Sequence, residues 1–378
     1  MTDHTDIHRF PCKTCGSDLR FAPDAQHLQC DHCGATEEIA GAGPWTGKSA
    51  FKELDYIKAI REGMAEFETE TLRTFACKNC GAHIEFQTGS HAAECPYCAT
   101  PHVGETGEER LLKPRAIAPF DLDERRAREA MSDWLGGLWF APNGLAEYAR
   151  KGRKLSGIYM PFWTYDANSD TRYRGRRGTI YYETRRVAVV VNGKRQMQNQ
   201  QVQKIRWRNV SGRVTRFFDD ILVLASKALP KSYTDALAPW DLTRLRPYAP
   251  EYIAGLRSEG YTIPLDQGFS EARQIIERTV RRDIRFDIGG DRQEITAMDL
   301  KLEMLTFKHI LLPVWTAAYK YRGKSYRFVV NGQTGAVKGE RPYSVWKILF
   351  AVVIALNIIA LLMFLASSPE MSEIMRGF

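Results

Sequence analysis

Eight cysteines carry the chemistry most easily read from this chain, and they occur only in pairs: Cys12/Cys15, Cys30/Cys33, Cys77/Cys80 and Cys95/Cys98. Two residues separate the thiols of each pair. Fourteen separate the first pair from the second, and fourteen the third from the fourth. Two copies of C-x2-C-x14-C-x2-C match the ligand pattern of a structural zinc site. Two tight turns each offer two thiolates, and a hairpin between them brings four sulfurs to the corners of one tetrahedron. Gly16, Gly34 and Gly81 directly follow their pairs, where such a turn asks for positive φ, and Ala99 stands in that place in the fourth. A disulfide framework needs an oxidising compartment, and Met1–Phe10 holds no signal peptide to reach one. A thioredoxin-like pair needs a βαβ setting that the pattern lacks. The spacing therefore predicts two structural zinc ions, because four thiolates leave no open coordination position.

The second concentration of chemistry is charge. The chain carries a formal +8. Between Thr171 and Arg216 lie Arg172, Arg174, Arg176, Arg177, Arg185, Arg186, Lys194, Arg195, Lys204, Arg206, Arg208, Arg213 and Arg216, against Glu183 alone. Tyr173, Tyr181, Tyr182 and Trp207 interleave with them. Basic strands with aromatics suit single-stranded nucleic acid, through phosphate contact and stacking. They also suit anionic lipid headgroups, an acidic protein partner, or a solvated face with no partner. The surface-binding candidates are Arg172, Arg174, Arg176, Arg177, Arg185, Arg186, Arg206 and Arg208.

No catalytic constellation is legible. G-x-S-x-G, HExxH and dinucleotide fingerprints are missing, and no small-molecule substrate is evident. Ala42–Ser49, AGPWTGKS, is a relaxed phosphate-loop match with Lys48 and Ser49 in the phosphate and magnesium places. The preceding strand belongs to a cysteine module, and glycine is missing where Ala42 stands. His83, His91 and His102 lie in or beside the second cysteine module, and His309 reads as structural. Asp219-Asp220 reads as an exposed turn.

These residues need elements to hold them. The expected class is α+β: two N-terminal zinc ribbons, a β-rich body of two related helix-plus-sheet halves, and one C-terminal transmembrane helix. Residues 1–47 form the first ribbon, 48–72 a connecting helix and 73–110 the second ribbon. The halves are 111–228 and 229–344, followed by the span 345–366 and a short tail, 367–378. The connecting helix opens at Ser49 or Glu53, with a stripe of Leu54, Ile57, Ile60, Met64 and Phe67. Leu122–Leu135 and Asn143–Arg150 read as helices. So does Ser270–Arg282, with Ser270 as N-cap. Asn192-Gly193 joins two strands of a hairpin. The halves are suggested by Pro161-Phe162-Trp163-Thr164 and Pro313-Val314-Trp315-Thr316, each followed by Tyr-Arg-Gly and a base.

Ile348–Ala366 runs nineteen residues without a charge, enough to span a hydrocarbon core. Asn357 is its one strongly polar residue, suited to contact another membrane helix. Lys338, Arg341 and Lys347 precede the span and Arg376 follows it, so the positive-inside rule puts the body in the cytoplasm. The expected location is the inner membrane, single-pass.

With both ribbons, PFWTYD (161–166), LLPVWTAAYKYRGKSYRFVVNGQTGAVKGERPYS (311–344) and the terminal span in view, the chain resembles a bacterial family over nearly its full length. These are membrane proteins with TFIIB-type zinc ribbons, often labelled primosomal protein N′ (replication factor Y) or superfamily II helicase. The chain lacks the ATPase lobes that such a motor needs. Related double-ribbon membrane proteins are implicated in bringing flotillin-like or phage-shock-type coat proteins to the membrane. The resemblance thus implies a tail-anchored adaptor without enzymatic activity, recruiting a protein partner in envelope maintenance. The alternative is a membrane-tethered nucleic-acid-binding or replication accessory protein.

Overall fold

A computed structural model of the chain describes residues 10–39, 53–63, 66–85, 92–103, 107–142, 155–191, 194–321 and 324–367. The first cysteine module holds β1 (Leu19–Ala22), β2 (His27–Cys30) and β3 (Thr36–Glu37) in one small antiparallel sheet. β4 (Leu54–Asp55) and α1 (Tyr56–Glu62) follow, then β5 (Thr69–Ala76), β6 (His83–Glu85), β7 (Ala92–Glu94), β8 (Pro101–Val103) and β9 (Gly107–Leu112). The body continues with β10 (Ala116–Ile117), α2 (Glu124–Gly136), β11 (Ser156–Val191), β12 (Lys194–Leu224) and α3 (Lys231–Leu237). After β13 (Arg246–Pro247) and β14 (Arg257–Gly260) come α4 (Leu265–Ile288), β15 (Arg292–Tyr321), β16 (Lys324–Asn331), β17 (Val337–Gly339) and α5 (Val345–Ser367). The chain is therefore α+β, and a twelve-stranded sheet gathers β4, β5, β6 and β9 to β17, leaving out β7 and β8.

Three long strands form its axis, with β11 between β12 and β15. At its start β11 is an unbroken apolar run, and Ile158 to Met160 are fully buried, as expected of a strand covered on both faces. Further on, Thr171, Tyr173 and Gly175 are buried while Arg172 and Arg174 are exposed, a period of two that marks one covered face. α4 supplies the cover. Its buried residues Leu265, Gly268, Ala272, Ile276, Val280, Ile284 and Ile288 recur at three- and four-residue steps. At Gly268 a Cβ would stand 2.7 Å from the Trp163 ring, so glycine is what lets the helix seat there. The helix begins at Leu265 after Pro264, and Ser270 lies inside it, donating back to the Asp266 carbonyl. It is therefore not the N-cap the sequence suggested.

The two Pro-x-Trp-Thr segments lie side by side on β11 and β15, antiparallel, with Pro161 opposite Leu311 and Tyr159 opposite Pro313. They make matching contacts. Trp163 Nε1 donates to the Ile263 carbonyl and Trp315 Nε1 to that of Leu122, both at 2.9 Å, two residues before α4 and α2 respectively. Tyr261 packs on Trp163 and Phe120 on Trp315, each with ring centroids 4.9 Å apart. β14 runs parallel to β11 and β10 parallel to β15. Each helix thus caps the hairpin of the other segment. Residues 111–228 and 229–344 interlock in one sheet rather than forming two separable bodies.

The connecting helix is much shorter than expected. α1 covers seven residues, Leu54 lies in a strand paired with Phe307, and Ile57 and Ile60 are 46% and 49% exposed. Gly63 stops the helix at φ +80, and from Thr69 the chain is drawn into β5 by pairing with β9. Residues 40–52 and 143–154, which hold the phosphate-loop match with Lys48 and the second expected helix of the body, lie outside the described residues, as do His91 and the Asn192-Gly193 turn. Val191 opposite Lys194 nevertheless gives that hairpin its two-residue connection.

Candidate metal centres, membrane helix and basic arm

Each cysteine knuckle repeats one geometry. In the first module Cys12 N donates to Ser17 O and Gly16 N to Cys12 O. Cys30 with Ala35 and Gly34, Cys77 with Ala82 and Gly81, and Cys95 with Thr100 and Ala99 repeat the pattern. The glycines sit at φ +76, +76 and +74, and Ala99 takes the same left-handed turn at +56. Sulfur–sulfur distances are 3.6 Å for Cys12–Cys33 and 3.5 Å for Cys15–Cys30, and 3.6 Å for both Cys77–Cys98 and Cys80–Cys95. A disulfide needs about 2.05 Å. Four sulfurs around zinc at Zn–S of about 2.3 Å lie about 3.8 Å apart. The residues therefore fit two tetrahedral zinc ions, and these two four-cysteine groups are the expected sets. The centres differ in setting. Cys15 and Cys33 are exposed, whereas Cys77, Cys95 and Cys98 are buried.

The second module is also woven into the body. β6 pairs with β5 and β14, and β7 pairs with β8, so the simple hairpin expected between the knuckles is not formed by these strands. Tyr97, between the ligands Cys95 and Cys98, donates at 2.6 Å to the buried carboxyl of Glu259 on β14. Ser226 donates to the other oxygen, and burial pushes Glu259 up to about 7. The first module packs Phe21 against Tyr252, and Gln26 Nε2 donates to the Phe120 carbonyl. His83 pairs with Glu109 at 2.8 Å and His102 stacks on Phe75.

A polar cluster emerges that the sequence did not single out. Lys308 on β15, with its side chain only 8% exposed, lies 2.8 Å from Asp220, 2.9 Å from Glu53 and 4.0 Å from Asp166. Asp219-Asp220 is thus not a turn, although Asp219 is exposed as expected. It is a bulge in β12, opposite the register break at Tyr165/Ala167, and Asp220 N donates to Asp166 at 2.7 Å. Asp166, Asp219 and Asp220 lie close enough to share a cation, but the Lys308 ammonium already supplies positive charge there. Burial, then the Glu53 carboxyl, pushes Asp166 up to about 7. Burial also works against ionised Glu53, but hydrogen bonds from Asp166, Thr306 and Lys308 outweigh it and hold Glu53 at about 2. No signal in the sequence joins Glu53, Asp166 and Lys308, which meet only through strand register.

The basic stretch is one antiparallel ribbon, paired from Phe162 opposite Leu224 to Val191 opposite Lys194. Opposed residues share a face. Arg172, Arg174, Arg176 and Arg186 lie on one face, and Arg177, Arg185, Arg206 and Arg208 on the other. The eight candidates do not form a single patch. Much of the charge is also answered: Arg176 pairs with Glu294, Lys204 with Glu183, Arg213 with Asp170 and Arg216 with Asp283. Three of these carboxylates come from outside the counted stretch, so the sequence surplus overstates the free charge. Arg177 donates to the carbonyl of Ile288. Arg176 lies over Trp207 and Arg206 over Tyr181, each 5.1 Å from the ring centroid.

The ribbon has two zones. As far as Gly178, β15 forms a third strand and α4 covers the face that carries Arg177. Beyond Gly178 the sheet is two-stranded. Thirteen more residues of β11 carry this arm about 43 Å at about 3.3 Å per residue.

α5 is long and apolar enough to cross a membrane, and its described side chains from Val345 to Phe364 are not buried within the protein. Asn357 Nδ2 donates to the Val353 carbonyl of its own helix at 2.7 Å. The helix is joined closely to the body, because Ser344 N donates to Phe140 O. Trp139, Phe140, Tyr343 and Trp346 are all exposed near this junction, and Arg341 lies over Tyr343. Aromatics with nearby cations are the composition of a membrane–water boundary.

No family model and no solved structure matches the chain. It is similar to a protein of Bacillus subtilis (strain 168) named "Uncharacterized protein YdjG", 24% identical over 347 residues that cover 90% of this chain and 92% of the other. A likeness of that extent cannot reside in the cysteine modules alone.

Proposed function

We propose that the chain is a membrane-anchored adaptor whose body faces the cytoplasm. In this reading two zinc ions stiffen the ribbons, and the body recruits a protein partner in envelope maintenance, of the flotillin-like or phage-shock type to which the family resemblance points. The matched contacts of Trp163 and Trp315 support reading the body as two related, interlocked halves. The observation that carries the proposal is the junction at Ser344, where an apolar helix of membrane length leaves the sheet body through a bonded turn edged with exposed aromatics. Such a junction holds the body within reach of the headgroups, so that weak contacts become effectively intramolecular. Lys338, Arg341 and Lys347 on the body side support the cytoplasmic orientation, and reduced cysteines suit that compartment. The reading assigns the chain no catalytic step.

Two measurements test it. The full-length protein should resist alkaline carbonate extraction and lose that resistance when residues 345–378 are removed. An N-terminal tag should be protected from protease added outside the cell. Extraction of the intact chain by carbonate, or an exposed tag, would refute the anchor or its orientation. A second reading, nucleic-acid binding, is favoured by the shape of the arm, because a two-stranded ribbon fits a duplex major groove. It requires retention of DNA or RNA that falls steeply as salt rises.

A further inference from the structure

The two faces of the arm beyond Gly178 differ in chemistry. Strand alternation puts Ile180, Tyr182 and Ala188 of β11 on the same face as Ile205, Met197 and Trp207 of β12, to which register ties them. Tyr182 is 63% exposed, Met197 66%, and Ile205 and Trp207 38% each. The opposite face also carries Tyr181, Val187 and Val202, but it holds more charge, with Glu183, Arg185, Lys204 and Arg206 beside Gln198 and Gln200. A two-stranded ribbon is marginal in water by itself. This one nevertheless lays aliphatic and aromatic side chains open along one side, with the Arg176 guanidinium lying over the Trp207 ring at its body end. Arg172 and Arg174 lie on the same face toward the body and Arg186 toward the tip. Trp207, Ile180, Ile205 and Tyr182 thus sit together next to Arg174, and Arg186 with Thr184 and Gln201 separates them from Ala188 and Met197. Aromatic and aliphatic residues with arginine among them are the composition of a protein-binding patch.

We propose that this face of the arm is the docking surface for the recruited partner, an acidic protein that offers an apolar ridge flanked by carboxylates. The inference rests on the adaptor reading and names the site and the partner's chemistry. Charge decides the occupant. A second copy laid on the same face would bring Arg172, Arg174 and Arg186 against their own kind, which costs affinity. Nucleic acid has no use for the exposed Met197 and Ile205, and its natural contact is the more polar opposite face.

Photocrosslinking in full-length protein in native membranes tests this. Benzoylphenylalanine replaces Tyr182 or Met197 on the docking face, and Arg185 or Gln200 on the other. The expected result is one protein adduct from the docking face alone, with an acidic species that binds the purified chain. Arg172→Glu with Arg174→Glu should weaken that binding at least tenfold, and carboxylate-to-lysine changes on the partner should restore it. An adduct with a second copy, lipid or nucleic acid, equal labelling from both faces, or no adduct overturns the proposal. Replacing residues 180–205 by Asn-Gly leaves Thr179 opposite Arg206 and removes the arm while sparing the three-stranded zone. If the shortened, folded protein retains the partner, the docking face is refuted and the adaptor reading stands. Carbonate extraction of the intact chain would refute the adaptor reading whatever the arm does.

Discussion

At the scale of single residues, Ala99 occupies a backbone position that three glycines hold in the other knuckles. A left-handed turn costs a side-chain-bearing residue about 1 kcal/mol. Ala99→Gly should therefore raise stability by about that amount, read from guanidinium melts, and leave the metal count unchanged. Native mass spectrometry of the reduced protein should find two zinc ions, and one after Cys77→Ser with Cys80→Ser. Retention of both would break the assignment. His309 predicts a pH dependence. Its Nδ1 lies 2.9 Å from the Leu112 carbonyl, and burial holds its pKa down at about 4. In the unfolded chain it titrates near 6.5. Between those values the unfolded chain takes up a proton that the folded chain refuses. His309 thus lowers stability as pH falls from about 6.5 toward 4, by up to about 3 kcal/mol. His309→Leu should flatten that part of a stability–pH curve for detergent-solubilised protein, at some cost from the Leu112 carbonyl left without its donor. The cysteines were legible because metal ligation is written in local spacing. Lys308 and its three carboxylates were not, because their separation along the chain says nothing of register.

At the scale of elements, the two tryptophan segments should respond alike to the same change. Trp163→Phe and Trp315→Phe each remove one buried indole donor and leave a carbonyl unsatisfied, at Ile263 or Leu122. Each should cost about 1–3 kcal/mol, and denaturation should show one transition for the whole body in both variants. Separate transitions would mean that the halves do not interlock. The repeat itself was visible in the sequence. Its consequence was not, because nothing in Pro-x-Trp-Thr says that each segment's helix crosses to the other's hairpin. The connecting helix shows the reverse error. The apolar stripe from Leu54 to Phe67 has helical spacing, yet strand pairing at Leu54 and from Thr69 overrides it and leaves seven helical residues. The length of the arm escaped for a similar reason. Period-two alternation marks strands, but only the start of β15 at Arg292 shows where the third strand is lost.

At the scale of the whole molecule, the apolar helix, the cysteine modules and the sheet are joined, and the class of the chain could be read from its sequence. Metal spacing and unbroken hydropathy are local properties, whereas the joining of the second module to the body through β14 is not. The crossing of the two halves also imposes an order of assembly. β10 waits for a partner on β15, Ala116 for Ile310, and Tyr97 must find Glu259 across 162 residues of chain. Contacts so far apart form slowly, because loop closure precedes any gain. The cysteine knuckles close within about twenty residues and need only metal. Zinc uptake should therefore precede closure of the sheet during synthesis. On refolding, metal-bound ribbons should form in a fast phase set by zinc concentration, ahead of a slower one, insensitive to zinc, in which Trp163 and Trp315 become buried. A newly made chain starved of zinc would close its long strands on schedule but lack the ordered second module that pairs with β14, so metal supply decides whether that edge of the sheet is covered or left open to other chains.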